Sequence, residues 1–152
     1  MKHILTTAAL ICLAVPAFAE GDAAAGEKAF GKCKSCHQIE SDTGETIAKG
    51  GKTGPNLWGV VGRKAGSVDG FRYGDDVVAA GEAGLVWDEE HFVSYVADPR
   101  GFLRDYLDDS GAKSKMSFKL KKGGEDVFAY LAQFGAAEAT EAEAGAEAEA
   151  SN

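Results

Sequence analysis

The 152-residue chain has few of the residue types on which metal and disulfide sites depend. It contains three cysteines, three histidines and two methionines, and its three prolines stand against twenty glycines. Three cysteines are too few for a disulfide framework. The formal net charge is −8. A charge of this sign argues against a protein that binds nucleic acid, because such binding depends on neutralising phosphates with basic side chains.

Long apolar runs are also scarce, and the clearest one lies at the start of the chain. Residues 4–15 are almost entirely apolar, follow a short basic segment and are too few to span a bilayer. The sequence Ala-Phe-Ala at residues 17–19 is typical of a signal-peptide cleavage site. We therefore predict a cleaved signal peptide at 1–19, export to a bacterial periplasm and no stable membrane anchor. Cleavage leaves Cys33 and Cys36 as the mature cysteines.

The remaining sequence divides into a body and a tail. Residues 136–152 are almost entirely Ala, Glu and Gly without apolar periodicity, and this composition predicts a disordered acidic tail. The tail contains five glutamates and no basic residue. Residues 20–135 contain 19 acidic and 15 basic residues, a net charge of −4, and form the single predicted domain.

Four segments of the body have helical signals. Asp22 and Asp88 each stand where a helix N-cap is expected, residues 101–107 are predicted as a short helix, and residues 125–134 place apolar side chains at helical spacing. Residues 38–84 have glycine-rich turns and little helical period. No segment alternates as a strand does. We predict an all-α fold of three to four helices with long loops, which favours an interior organised by a large buried cofactor.

The central motif is Lys-Cys-Lys-Ser-Cys-His at residues 32–37, and it allows three interpretations. A structural zinc site would need a second pair of ligands that the chain lacks. Thiol–disulfide exchange would place Cys33 and Cys36 between a strand and a helix, whereas a helix precedes them here. Covalent haem attachment needs two thiols three residues apart and a histidine directly after the second. Export favours this third interpretation, with one haem c bound through both cysteines.

The haem interpretation requires axial ligands for the iron. His37 is one candidate, and the second is Met116, which lies in a polar segment where it has no helical stripe to join. His91 is expected to be exposed or to cap its helix. A thioether ligand favours ferrous iron, and two protein ligands leave no open position for oxygen or peroxide. These features indicate a one-electron carrier and not an enzyme.

The motifs of the body together resemble class I c-type cytochromes, more closely the bacterial periplasmic cytochrome c2 and c-550 type. The resemblance runs in order through KCKSCH, KTGPNLWGVVGRKAG, GFRYGDD, LVWDEEHFVSYVADP, KSKMSFKLKK and EDVFAYL. It covers nearly all of residues 21–134 and excludes the signal and the tail. It implies the small cytochrome c fold, wrapped around one covalent haem.

The resemblance also implies roles for individual residues. His37 and Met116 would be the axial ligands, and the carbonyl of Pro55 would accept the ring N–H of His37. Tyr95 would place its hydroxyl near the Met116 sulfur.

Haem propionates would be held by Arg63, Tyr73 and Trp87, with Ser114 near one of them, and Phe118 would flank the exposed haem edge. Plain core packing remains the alternative for the aromatic residues, and pairing with a surface acid remains the alternative for Arg63. Gly26 and Phe30 would cross the last helix near Val127 and Tyr130.

The charge pattern suggests how partners would bind. Basic residues cluster near the motifs, at Lys32, Lys34, Lys52, Lys115, Lys119, Lys121 and Lys122. Such a ring around the haem edge would steer acidic partner surfaces. We expect a monomer that takes electrons from a quinol-oxidising cytochrome bc complex and passes them to a terminal oxidase, a photosynthetic reaction centre or a periplasmic reductase. The alternative is a haem enzyme or ligand sensor with a labile sixth ligand, such as a peroxidase.

Overall fold

The computed structural model describes residues 21–135, and the signal peptide and tail predicted from the sequence lie outside this range. The described residues form five helices and one small antiparallel sheet. The elements in chain order are α1 (Ala23–Phe30), β1 (Ile39–Glu40), β2 (Thr46–Ala48), α2 (Asp75–Glu82), α3 (Glu89–Ala97), α4 (Pro99–Tyr106) and α5 (Gly124–Leu131). The predicted all-α class is confirmed, but the described residues contain five helices where three to four were predicted.

Residues 38–84, which were predicted to be irregular, contain two elements that were not predicted. One is the hairpin of β1 and β2, in which Ile39 pairs with Ala48. The other is α2, which contains Gly81. A side chain at Gly81 would collide with the backbone carbonyl of Ala65, so the close approach of the two backbones requires glycine. The rest of the segment is loop, as predicted.

Side chains cap three of the helices at their N-termini. Asp22 accepts the amides of Ala24 and Ala25, at 2.8 and 3.1 Å. Asp88 Oδ1 accepts the amide of His91 at 2.8 Å, which confirms the predicted start of α3. Asp98 separates α3 from α4 and accepts from the first turn of α4, whose first residue is proline.

The first and last helices cross at a small residue. A side-chain carbon at Gly26 would collide with the backbone carbonyl of Asp126 and the Cβ of Tyr130, so only glycine permits this approach. One turn later, the rings of Phe30 and Tyr130 pack with their centroids 5.6 Å apart. Phe30 and Val127 are buried. The predicted crossing of Gly26 and Phe30 with the last helix is confirmed.

The helices of residues 21–135 are eight or nine residues long. A helix needs about 20 apolar residues to cross a bilayer. None of the helices in this range is long and apolar enough to do so.

Candidate functional site

A cavity of about 280 Å³ lies among the loops and is walled mostly by apolar surface. It brings together segments that are far apart in the chain. Its lining includes ten of the eleven predicted site residues, namely Cys33, Cys36, His37, Pro55, Arg63, Tyr73, Trp87, Tyr95, Met116 and Phe118. Ser114 is the exception.

The two cysteines lie in the turns that follow α1. The amide of Cys33 donates to Phe30 at 2.8 Å, and the amide of His37 donates to the Cys33 carbonyl at 2.9 Å, so the motif continues the helix as a series of tight turns. Cys33 is partly buried and Cys36 is exposed. Burial raises the pKa of Cys33, an effect opposed by Lys32. Hydrogen bonds from Thr53 and Ser35 lower the pKa of Cys36.

His37 is held from two sides by the loop that contains Gly54 and Pro55. Its Nδ1 donates to the carbonyl oxygen of Pro55 at 2.8 Å, which is the predicted contact. This hydrogen bond leaves Nε2 unprotonated and able to bind a metal. A side chain at Gly54 would collide with the His37 ring. Burial lowers the pKa of His37, with the Pro55 carbonyl opposing, and this favours the neutral ring that ligation requires.

Met116 is partly buried and is connected to Tyr95 through a serine. The amide of Met116 donates to Ser114 Oγ at 3.1 Å, and the same oxygen lies 3.2 Å from the Tyr95 hydroxyl. The resemblance to class I cytochromes predicts this hydroxyl near the Met116 sulfur and Ser114 near a haem propionate. In the structure the two hydroxyls bond to each other, because α3 presents Tyr95 to the backbone turn before Met116. Burial raises the pKa of Tyr95, and the bond to Ser114 opposes this rise.

Arg63 is mostly buried and contacts no acidic side chain among residues 21–135, so the surface ion pair considered from the sequence is absent there. Its two terminal nitrogens donate to the carbonyls of Trp58 and Asn56, at 2.7 and 3.1 Å. The buried Nε has no partner among the described residues. A buried donor without a partner is costly, so the site suits an additional acceptor.

Aromatic side chains complete the cavity wall. Trp87 is buried, and its ring packs 4.9 Å from that of Tyr95. Burial raises the pKa of Tyr73, which Arg63 opposes. Phe118 is 40% exposed although it lines the cavity, so it lies at the boundary with solvent.

His91 lies away from this cavity. Its ring Nδ1 is 2.9 Å from an Asp88 carboxylate oxygen and 3.2 Å from the carbonyl of Val86. This contact accords with the expected capping position at the start of α3. The His91 side chain also lines a second, more open groove between α3 and α4.

The predicted docking lysines fall into two groups. Lys115 donates from Nζ to the carbonyls of Tyr73 and Arg72, at 2.7 and 3.1 Å, and Lys119 pairs with Asp98 at 2.7 Å. The others make no ion pair within residues 21–135; these are Lys32, Lys34, Lys52, Lys121 and Lys122. The bonds of Lys115 to Tyr73 and of Lys119 to Asp98 were not predicted, because these partners are 42 and 21 residues away in the chain.

The residues around the cavity suit a haem c. Two thiols, an imidazole with a free Nε2, a thioether and a buried guanidinium surround a largely apolar space. Among residues 21–135, no three His, Cys, Asp or Glu side chains gather as a zinc cluster would require. Cys33 and Cys36 follow α1 and precede the short strand β1, which is the reverse of the strand–helix order of thiol–disulfide exchange.

Comparison with known proteins identifies the family. The chain is 68% identical over 131 residues to cytochrome c-551 of Roseobacter denitrificans, an alignment that covers 86% of this chain and 94% of the relative. It is 58% identical over 134 residues to cytochrome c2 of Rhodobacter capsulatus, with 87% and 97% covered. The chain belongs to the cytochrome c2 and c-550 family. It matches no protein-family model.

Solved structures of the family share the fold. The Rhodobacter capsulatus cytochrome c2 structure has a TM-score of 0.72 at 59% identity and covers 74% of this chain and 97% of its own. The ferric cytochrome c-550 of Paracoccus versutus has a TM-score of 0.74 at 53% identity, with 76% and 99% covered. The chain is thus a class I c-type cytochrome with covalent haem c, an electron carrier and not an enzyme.

Proposed function

We propose that the protein is a periplasmic one-electron carrier between a quinol-oxidising cytochrome bc complex and a terminal oxidase, a photosynthetic reaction centre or a periplasmic reductase. This proposal depends on one observation: His37 of the Cys-Lys-Ser-Cys-His motif and Met116 line the same cavity. Met116 is the one methionine within residues 20–135. The predicted signal peptide supports the periplasmic location.

His37 and Met116 are the proposed axial ligands. His37 presents Nε2, because its Nδ1 proton is already donated to Pro55. The amide N–H of Met116 donates a hydrogen bond to Ser114 Oγ, which holds the backbone from which the thioether extends. The bound haem supplies a one-electron change of oxidation state at its iron. His37 and Met116 would both hold the iron, which would leave no open position for exogenous ligands and would raise the reduction potential through the soft sulfur.

Arg63, Tyr73 and Trp87 are the proposed partners of the haem propionates. The unpartnered Nε of Arg63 and the polar tips of the two aromatic side chains are donors in a low-dielectric space. Cys33 and Cys36 fix the cofactor covalently. Tyr95 and Ser114 act on Met116 through the hydrogen bonds between them.

Partners are proposed to dock near Phe118 at a lysine surface, which consists of Lys32, Lys34, Lys52, Lys121 and Lys122. Lys32 lines the cavity, and the other unpaired lysines of this set lie within two residues of a lining residue. Exposed Phe118 supplies apolar contact at the solvent boundary of the cavity. A mildly acidic protein with basic residues on one surface orients in the field of an acidic partner, which speeds encounter at low salt.

The test compares electron transfer with ligand binding. The ferrous protein should reduce a purified oxidase in a second-order reaction that slows as salt rises, and the ferric protein should bind cyanide slowly. A rate independent of salt would contradict lysine docking. Rapid cyanide binding with peroxide turnover would favour the alternative, a haem enzyme with a labile sixth ligand.

A further inference from the structure

The end of the described chain is fixed against a loop near the cavity. The amide of Gly59 donates to the carbonyl of Phe134 at 3.0 Å, and the rings of Trp58 and Phe134 stack with centroids 6.5 Å apart. A side chain at Gly135 would collide with the Trp58 indole. Residues 136–152 therefore start from a defined point on the body.

The backbone limits how far that point lies from two of the lysines that form no ion pair within residues 21–135, Lys34 and Lys52. Lys52 precedes Trp58 by six residues, so their Cα atoms are at most about 22 Å apart. The amide of Gly51 donates to the carbonyl of Lys34 at 2.9 Å, which places Lys34 beside Lys52. Both lysines are exposed and form no ion pair within residues 21–135.

The tail complements these lysines in charge and in reach. It contains five glutamates, at positions 138, 141, 143, 147 and 149, and no lysine or arginine. Seventeen residues span at most about 60 Å, more than the distance from the tail origin to Lys52. The tethered carboxylates are present near the lysines at an effective concentration on the order of millimolar.

We propose that the acidic tail binds the lysine surface of its own chain and competes there with acidic partner proteins. The proposal depends on the proposed docking function of that surface. The tail then acts as a built-in, salt-sensitive regulator. At low ionic strength it lowers the association rate with an acidic partner, and at high ionic strength both interactions are screened and its effect disappears.

Three forms of the holoprotein test the proposal: the full mature chain, a chain ending at Gly135, and a chain of full length with the five tail glutamates changed to glutamine. The first measurement is zero-length carbodiimide cross-linking followed by peptide mass spectrometry. We expect tail glutamates of the full chain to link to Lys34 and Lys52. Links only to Lys28, an exposed lysine of α1, or no tail links at all, would overturn the proposal. An intact mass showing that the exported protein ends before residue 136 would overturn it as well.

The second measurement is the rate of electron exchange with purified cytochrome bc complex. We expect the truncated and glutamine forms to associate at least about twofold faster than the full chain at low salt, and equally at high salt. Equal rates of all three at low salt would overturn the tail proposal. Changing Lys34 and Lys52 to glutamine in the truncated chain tests the docking surface separately. A slower rate in that variant supports the surface whatever the tail does, and an unchanged rate contradicts docking there.

Discussion

Ser114 Oγ accepts the amide N–H of Met116 at 3.1 Å and lies 3.2 Å from the Tyr95 hydroxyl. This serine connects the predicted ligand loop to α3. A hydrogen bond of this kind contributes about 0.5–1.5 kcal/mol, so its loss should make loop opening up to about tenfold more frequent. Under the proposed ligation by Met116, an exogenous ligand would bind only after Met116 leaves the iron, so the rate of cyanide binding measures this opening.

We therefore expect Ser114→Ala to bind cyanide faster in the ferric state, by a factor of up to about ten. Ser114→Thr keeps the hydroxyl and should restore the slow rate. Ser110→Ala, at an exposed position outside the cavity lining, is the control. Stopped-flow absorbance measures all three, and an unaltered rate in Ser114→Ala would show that the serine does not restrain the loop.

Met116→Leu tests the second axial ligand. The variant keeps both cysteines, so the haem should stay attached, but the loss of sulfur removes stabilisation of the ferrous state. We expect the potential to fall by at least about 59 mV, a tenfold change in a one-electron equilibrium. A spectroscopic redox titration measures it, with Lys64→Gln as a control at an exposed site. A potential equal to the parent's would refute ligation by Met116.

Gly54→Ala tests the support of His37. The added methyl group would collide with the His37 ring, so either the ring or the loop must shift. Overpacking of this kind costs about 1–3 kcal/mol, which denaturant unfolding of the holoprotein would measure. Gly111→Ala is the matched control, because its new carbon meets only an exposed aspartate side chain. Equal stability of the two variants would mean that the loop does not clamp the ring.

Asp98 gives a pH-dependent prediction. Lys119 and the amide of Gly101 lower its pKa in the folded protein. The stabilisation is therefore present above the unfolded pKa of about 3.9, and it is lost as pH falls through the lower folded pKa. Asp98→Asn should lower the thermal midpoint at pH 6, and this difference should shrink as the pH falls through the lowered pKa of Asp98, because the parent carboxylate then becomes neutral. A difference that stays constant across this range would contradict the ion pair.

Local signals predicted some parts of the fold well. Asp22 and Asp88 each precede a helix and cap it, and a cap depends on residues within one turn. The missed helix α2 has no side-chain cap and begins after Gly74. Its Gly81 is explained only by the approach of Ala65, a contact that sequence pattern does not reveal. The two strands have two and three residues, too short for alternation to show.

Contacts between residues of the conspicuous sequence motifs could be predicted. The bond from His37 to Pro55 was expected from the resemblance and is present. The hydrogen bond between Tyr95 and Ser114 was not expected, because it depends on how a loop folds against α3. The hydrogen bond of Lys115 to a backbone carbonyl and the ion pair of Lys119 with Asp98 were also not predicted, because a count of charges along the sequence does not show which of them have partners.

The most direct test is the absorption spectrum of the exported ferric protein at neutral pH, recorded from the visible into the near infrared. We expect the bands of one attached haem together with a weak sulfur-to-iron band from Met116. A colourless protein, or a haem spectrum without that near-infrared band, would contradict it.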